Sequence, residues 1–269
     1  MRSTNWRVLA LAALAAAPLS AGQPRSASDE KWCREDGGGW RERARHCEVR
    51  EMTLPTGGTL AVDARPNGGI QVEGWDRSDV RLRVKVVATA DTNDAARALA
   101  GEVRVETSGT VTASGPQNTN GRQWYASFRL DVPRGQALKL RADNGGLHLA
   151  DVDGDAELAT VNGGLHLDRV AGHIVGETVN GGIHVELAGS EWQGEGLELR
   201  TTNGGLHLEI PADYNARLEA STVNGGVHSE VPAARPGKQR GGQIAADLGS
   251  GGRLLKFETT NGGLHIAER

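Results

Sequence analysis

Along most of this chain apolar residues alternate with polar ones, and Asn-Gly-Gly interrupts the alternation at regular places. In Gly146-Leu147-His148-Leu149-Ala150-Asp151-Val152, Leu147, Leu149 and Val152 point to one side and His148 to the other. That is the period-two pattern of a half-buried strand. A polar turn, Asp153-Gly154-Asp155, leads to a second short strand over residues 156–161 and then to the next Asn-Gly-Gly. Two strands and two turns occupy 18 residues, which leaves no room for a helix. The string Asn-Gly-Gly-apolar starts at Asn67, Asn144, Asn162, Asn180, Asn203, Asn224 and Asn261. From Asn144 the spacings are 18, 18, 23, 21 and 37 residues. The longest gap has room for two turns of chain, with Gly249-Ser250-Gly251-Gly252 reading as a turn that lacks its Asn.

One such unit cannot bury its apolar side alone, so stacking on its neighbours has to supply the core. The pattern predicts an all-β fold, a right-handed parallel β-solenoid of about 18–23-residue coils, stacked about 4.8 Å apart. Stacking turns each repeated position into a column. Asn144, Asn162, Asn180, Asn203, Asn224 and Asn261 form a ladder of turn amides, and Thr160, Thr178, Thr201, Thr222 and Thr259 a second one. Leu147, Leu165, Ile183, Leu206, Val227 and Leu264 form an apolar column. Asn-Gly is read here as the pair that tolerates the positive φ of a tight turn.

The chain divides into residues 1–21, 22–48, 49–135 and 136–269. Arg2 and Arg7, the apolar run Val8 to Ala17, Pro18 and the small residues around Ala21 read as an export signal cleaved near Ala21. Its apolar run is about half what a bilayer span needs. Gln23 stands where a lipoprotein signal needs Cys, so no lipid anchor is expected. Residues 22–48 are a polar extension holding Cys33 and Cys47, the two cysteines of the chain. In an oxidising compartment they most simply form one disulfide. Residues 49–135 are an opening β region with alternating strands such as Val80 to Val86. It contains one short helix over Asp94 to Ala100, capped at Thr92 or Asn93, and a strand from Trp124 to Val132 that Pro133 ends. Residues 136–269 are the regular coils, interrupted by a basic loop with Arg235, Lys238 and Arg240.

These features together resemble the bacterial β-strand-repeat family known as "putative adhesin". The resemblance covers roughly residues 50–269 and rests on the strand-helix-strand opening, the Val132-Pro133-Arg134-Gly135 step and the Asn-Gly-Gly turns. It implies an envelope-associated, non-enzymatic solenoid of unknown function, periplasmic or extracellular, and brings no site residues with it. The chain departs from the family's usual pattern in placing His so regularly after the turn.

Six of the seven turns read Asn-Gly-Gly-apolar-His, which predicts a column of His148, His166, His184, His207, His228 and His265 on one outer face. Two residues further along each strand come Ala150, Asp168, Glu186, Glu209, Glu230 and Ala267. Imidazole and carboxylate are preferred ligands of Zn²⁺ and related ions. The candidate ligands are the six histidines with Glu186, Glu209 and Glu230. The competing reading is a passive, solvated ladder in which the carboxylates offset repulsion between the histidines. No cofactor is expected other than Zn or another divalent transition metal. No catalytic residue is assigned, because no Gly-x-Ser-x-Gly elbow, Walker loop or HExxH string occurs. Asp151 to Asp155 fails the calcium-loop pattern and reads as a turn.

The formal charge of -4 argues against a nucleic-acid partner. Three functions compete: a scaffold or adhesin-like protein that binds an envelope protein or glycan, a periplasmic metal-binding protein, and a carbohydrate-active enzyme. Surface attachment would need a partner. Edge-to-edge self-association is also expected, because the chain stops at Arg269 just past the last strand with no evident cap.

Overall fold

The computed structural model describes residues 27–35, 43–234 and 242–269. The export signal and the basic residues Arg235, Lys238 and Arg240 lie outside the described residues. The chain opens with helix α1 (Ala27–Glu35), then strands β1 (Ala44–Leu54), β2 (Leu60–Asp63), β3 (Ile70–Trp75) and β4 (Val80–Ala90). Helix α2 (Asn93–Glu102), β5 (Arg104–Glu106), β6 (Val111–Ser114) and β7 (Gln123–Pro133) complete the opening region. The repeats follow as β8 (Leu138–Arg141), β9 (Leu147–Ala150), β10 (Ala156–Thr160), β11 (Leu165–Asp168), β12 (His173–Thr178) and β13 (Ile183–Glu186). They continue as β14 (Gly196–Asn203), β15 (Leu206–Ile210), β16 (Ala216–Asn224) and β17 (Val227–Ser229). The last strands are β18 (Gly242–Leu248), β19 (Leu254–Asn261) and β20 (Leu264–Glu268).

Two ten-stranded sheets result. The first runs β1-β4-β7-β3-β9-β11-β13-β15-β20-β17 and the second β18-β16-β19-β14-β12-β10-β8-β2-β6-β5. From β8 to β17 successive strands alternate between the sheets, so each repeat lays one strand in each. Neighbouring repeats pair parallel and in register: Leu147, Leu165, Ile183 and Leu206 align, as do His148, His166, His184 and His207. Between the sheets lies one apolar core, to which Leu149, Leu167, Val185, Leu208, Leu199 and Phe257 contribute fully buried side chains. The repeat at Asn67 belongs to the same stack, since Asn67 bridges to Asn144 and Ile70 aligns with Leu147.

The turn ladders form as the spacing predicts. Asn162 Nδ2 donates to Asn144 Oδ1 (2.8 Å), Asn180 to Asn162 (2.9 Å) and Asn203 to Asn180 (2.9 Å). One turn of chain inward, Thr160 Oγ1 donates to Gly145 O (2.9 Å), Thr178 to Gly163 O (2.7 Å) and Thr201 to Gly181 O (2.8 Å). The reason for the glycines is not the expected one, however. None in the Asn-Gly-Gly turns has a positive φ. From Gly145 on, a Cβ on the first of each pair would overlap the carbonyl oxygen of the first glycine one repeat away, as Gly204 would with Gly181 O, and one on Gly68 would overlap Ala126 O. Close approach of backbones excludes a side chain there, whereas left-handed geometry falls at Asp151, Arg169 and Asp213 in other turns.

Three further expectations need correction. The last two repeats do not stack in chain order: β20 lies between β15 and β17, and β19 between β14 and β16. The Asn ladder follows this order, with Asn261 donating to Asn203 (2.8 Å) and Asn224 to Asn261 (2.8 Å). The C-terminal strand is therefore interior, and the edges at that end are β17 and β18. Gly249 to Gly252 is a turn, but it carries the chain from β18 past β16 to β19 within one sheet, with Asn215 Oδ1 accepting from Ser250 N (2.7 Å). The long gap thus holds an edge strand, antiparallel to β16, and not a second two-sheet repeat.

The expected helix is α2, capped by Thr92 Oγ1 accepting from Ala95 N (3.2 Å). A second helix, α1, stands in the extension, where none was expected. The Cys33–Cys47 disulfide ties it to β1. A small cluster of Cys33, Cys47 and Val87, with Val49 and Tyr125 against it, packs it onto the outer face of the first sheet. Among the described residues no helix is long and apolar enough to cross a membrane.

Candidate functional site

The outer faces of the two sheets differ in chemistry. On the second sheet, cations and anions of neighbouring strands neutralise one another: Lys139 with Glu157 (2.5 Å), Arg200 with Glu258 (2.7 Å) and Lys256 with Glu198 (3.3 Å). Exposed pairs of this kind contribute little stability. The first sheet instead carries a groove of about 1180 Å³ that runs across the strands. Its floor is the column of second glycines of the turns, such as Gly146, Gly182 and Gly205, and the histidine column lines it. Side chains alternate along a strand, so the residue two before each outward His also points outward. Being glycine, it leaves a channel. At one end the groove meets α1. There Trp32 packs with Arg129 (4.1 Å) and Lys85 (4.9 Å) over its ring, and Arg129 also pairs with Glu35 (3.2 Å).

All six predicted histidines stand in one row, in the order His148, His166, His184, His207, His265, His228. Successive ring centroids are 4.9, 4.6, 5.0, 4.8 and 5.2 Å apart. Gln71 continues the row beside His148. His46 and His173 stand outside it, each beside a carboxylate of its own, Glu48 and Glu195.

The carboxylates divide the row into groups. Donor atoms of His148, His166 and Asp168 lie within 4.8 Å of one another, as do those of His184, His207 and Glu209 and those of His228, His265 and Glu230. Glu209 and Glu230 are thus placed as the spacing predicts. Glu186 stands in the same row, in register with Asp168 and Glu209, but it pairs with Arg269, which also donates to Leu187 O (2.9 Å). Asp168 takes the place that the sequence reading gave to Glu186. Its Oδ2 is 3.5 Å from His148 Nε2 and its Oδ1 3.2 Å from His166 Nε2. Nevertheless Oδ1 is buried and accepts no well-directed hydrogen bond. Asp168 was legible as a member of the carboxylate row, but Arg269 lies 83 residues from Glu186, and nothing local announces that pairing.

Burial lowers the pKa of His148, and the charge of His166 adds to this, against the opposing pull of Asp168 and Glu73. Burial likewise lowers His184, helped by His166 and His207 and opposed by Glu209 and Asp168. A histidine whose folded pKa is depressed takes up its proton more readily in the unfolded chain. Stability is therefore complete above the ordinary value of 6.5 and declines as pH falls through it. Urea unfolding in a chelating buffer is expected to give a lower midpoint at pH 5.5 than at pH 7.5. The slope should be smaller for His148→Gln, and an unchanged slope would contradict the burial argument.

No family model matches the chain, and no curated protein does. Solved structures are similar to it at a distance. One is a "putative cell adhesion protein" from Clostridium sporogenes, with 10% identity over 83% of this chain and 100% of that chain and a TM-score of 0.42. A "putative adhesin" from Bacteroides fragilis has 12% identity over 82% and 97% with a TM-score of 0.37. A third, from Parabacteroides merdae, has 10% identity over 82% and 95% with a TM-score of 0.30. No residue role passes from them to this chain.

Proposed function

We propose that this chain is an exported, non-enzymatic binding protein of the cell envelope, and that the groove on the first sheet is its binding surface. On this reading the alternation of strands between two sheets is a right-handed parallel β-solenoid. Residues 1–21 are removed on export, residues 22–48 lay α1 across one end of the groove, residues 49–135 open the fold and residues 136–269 are its coils. The observation that carries the reading is the groove itself: a long channel with a glycine floor and a histidine row beside it. The lining repeats from strand to strand, so a long partner would meet the same chemistry at each step, and no position is set apart for catalysis. The disulfide supports export. Self-association through the edges at the C-terminal end of the stack would run by β17 or β18.

A side chain on the groove floor should block the site without disturbing the core. Gly205 suits this, because a Cβ there would lie 3.5 Å from Gly263 O, an ordinary contact. The mature protein is expected to be retained on immobilised peptidoglycan sacculi or on members of a panel of linear polysaccharides. Gly205→Leu, still folded by circular dichroism, should lose most of that retention. Equal retention of the two proteins, or none on any support, would overturn the groove as a glycan-binding surface. Release of soluble sugar would favour the carbohydrate-active enzyme.

A further inference from the structure

We infer that the histidine row holds three divalent transition-metal sites, each made by two histidines of adjacent strands and one carboxylate. The sites are His148, His166 and Asp168; His184, His207 and Glu209; and His228, His265 and Glu230. The inference rests on the reading of this face as the binding face, and it names a ligand for it.

The geometry fits an ion without rebuilding. Ligands about 2.1 Å from a tetrahedral ion lie about 3.4 Å from one another. Nε2 of His166 and of His148 stand 3.2 and 3.5 Å from oxygens of Asp168. In the second site Glu209 Oε1 is 3.1 Å from His207 Nε2 and 3.9 Å from His184 Nε2. In the third, Glu230 Oε1 is 3.9 Å from His265 Nε2. These separations bracket the tetrahedral value, and small rotations of half-exposed side chains cover the difference.

One observation points to an ion and not merely to a solvated ladder. Asp168 Oδ1 is buried and lacks a hydrogen bond although an imidazole nitrogen stands beside it. A buried oxygen left without a partner is costly, and a metal at this point would satisfy it. His265 Nδ1 and His207 Nδ1 are 2.9 Å apart. Only one of these can donate, and the accepting ring, when neutral, carries its proton on Nε2, so this contact opens when both rings ligate through Nε2.

The carboxylates fix the number of sites. Six histidines form one continuous stack, and among the described residues the carboxylates grouped with them are Asp168, Glu209 and Glu230, since Arg269 engages Glu186 and the other two positions two residues after a histidine are alanine. Two nitrogens and one oxygen suit Zn²⁺, Ni²⁺ or Cu²⁺ better than Ca²⁺ or Mg²⁺. Three protein ligands leave a fourth position open towards the groove, where water or a group of the partner can coordinate.

The test is titration of the mature, disulfide-intact protein with Zn²⁺ by calorimetry, with native mass spectrometry to count ions. Three ions per chain at micromolar affinity or tighter are expected. The double variant His184→Gln and His207→Gln should hold two, because glutamine already occupies this row at Gln71 and the stack should tolerate it; a metal-free thermal melt checks folding. Glu209→Gln should weaken one site by more than about tenfold, while Glu186→Gln should leave all three. One or two ions spread along the wild-type row, only millimolar binding, or equal effects of the two Glu variants would overturn the assignment. Repeating the polysaccharide retention in EDTA separates the two readings. Retention without Zn²⁺ binding leaves the groove and removes the metal, and Zn²⁺ binding without retention does the reverse.

Discussion

Gly204→Ala is expected to destabilise the protein by roughly 3–5 kcal/mol, whereas Gly205→Ala, one residue away in the same turn, should change stability by less than about 1 kcal/mol. The two glycines face opposite ways. A methyl group on Gly204 would overlap the carbonyl oxygen of Gly181, the acceptor of the Thr201 hydroxyl at 2.8 Å. Beside it Asn203 donates to Asn180 at 2.9 Å. Relieving the overlap means lifting one repeat off its neighbour, which loosens both ladders and leaves a carbonyl short of its donor. A methyl group on Gly205 points into the groove and meets Gly263 O at 3.5 Å. It also narrows the conformational range of the unfolded chain, so its small effect should tend towards stabilisation. Chemical denaturation of the two variants checks this. Similar losses would mean that backbone conformation, and not close approach, dictates the glycines.

The same turn shows how far the sequence could be read. Asn, Thr, Leu and His columns were legible because in-register stacking converts a repeated residue into a row of contacts, whatever the details of the turn. The order of the rows was not. Asn203, Asn224 and Asn261 each open the same Asn-Gly-Gly-apolar-His string, so nothing local tells one repeat which neighbour to choose. That choice depends on β18 and the turn at Gly249 to Gly252, which return the chain to the far side of β16. Helix α1 escaped notice for a related reason. Its sequence, Ala-Ser-Asp-Glu-Lys-Trp-Cys-Arg-Glu, is polar, and only Trp32 and Cys33 are buried. Its place on the sheet depends on a disulfide and on two cations over one indole, all of them tertiary. Among the candidate ligands, the engagement of Glu186 by Arg269 is not legible, because the two are distant in sequence.

Ending the chain after Arg253 should damage the fold far more than the loss of its last 16 residues would suggest. If the repeats stacked in chain order, this cut would trim an edge. Here it removes β19 and β20 from between β14–β15 and β16–β17. Leu255, Phe257, Leu264 and Ile266 go with them, all at most 2% exposed. At roughly 1.5–3 kcal/mol for each buried side chain the loss is about 6–12 kcal/mol, comparable to the whole stability of a typical domain. Repeats that touch only their neighbours lose cooperativity where the stack is cut. Strands β16, β17 and β18 are therefore expected to become accessible to protease, while the stack up to β15 keeps its protection. Limited proteolysis followed by mass spectrometry measures this directly. A milder form of the test is Phe257→Ala, expected to cost about 3–5 kcal/mol through the cavity it leaves. There is one way for the truncated chain to escape. Asn224 carries the same string as Asn261, so β16 and β17 could close onto β14 and β15 in chain order. A truncated protein as resistant to protease as the full chain would show that they do, and that β18, not the repeats themselves, keeps the last two out of sequence.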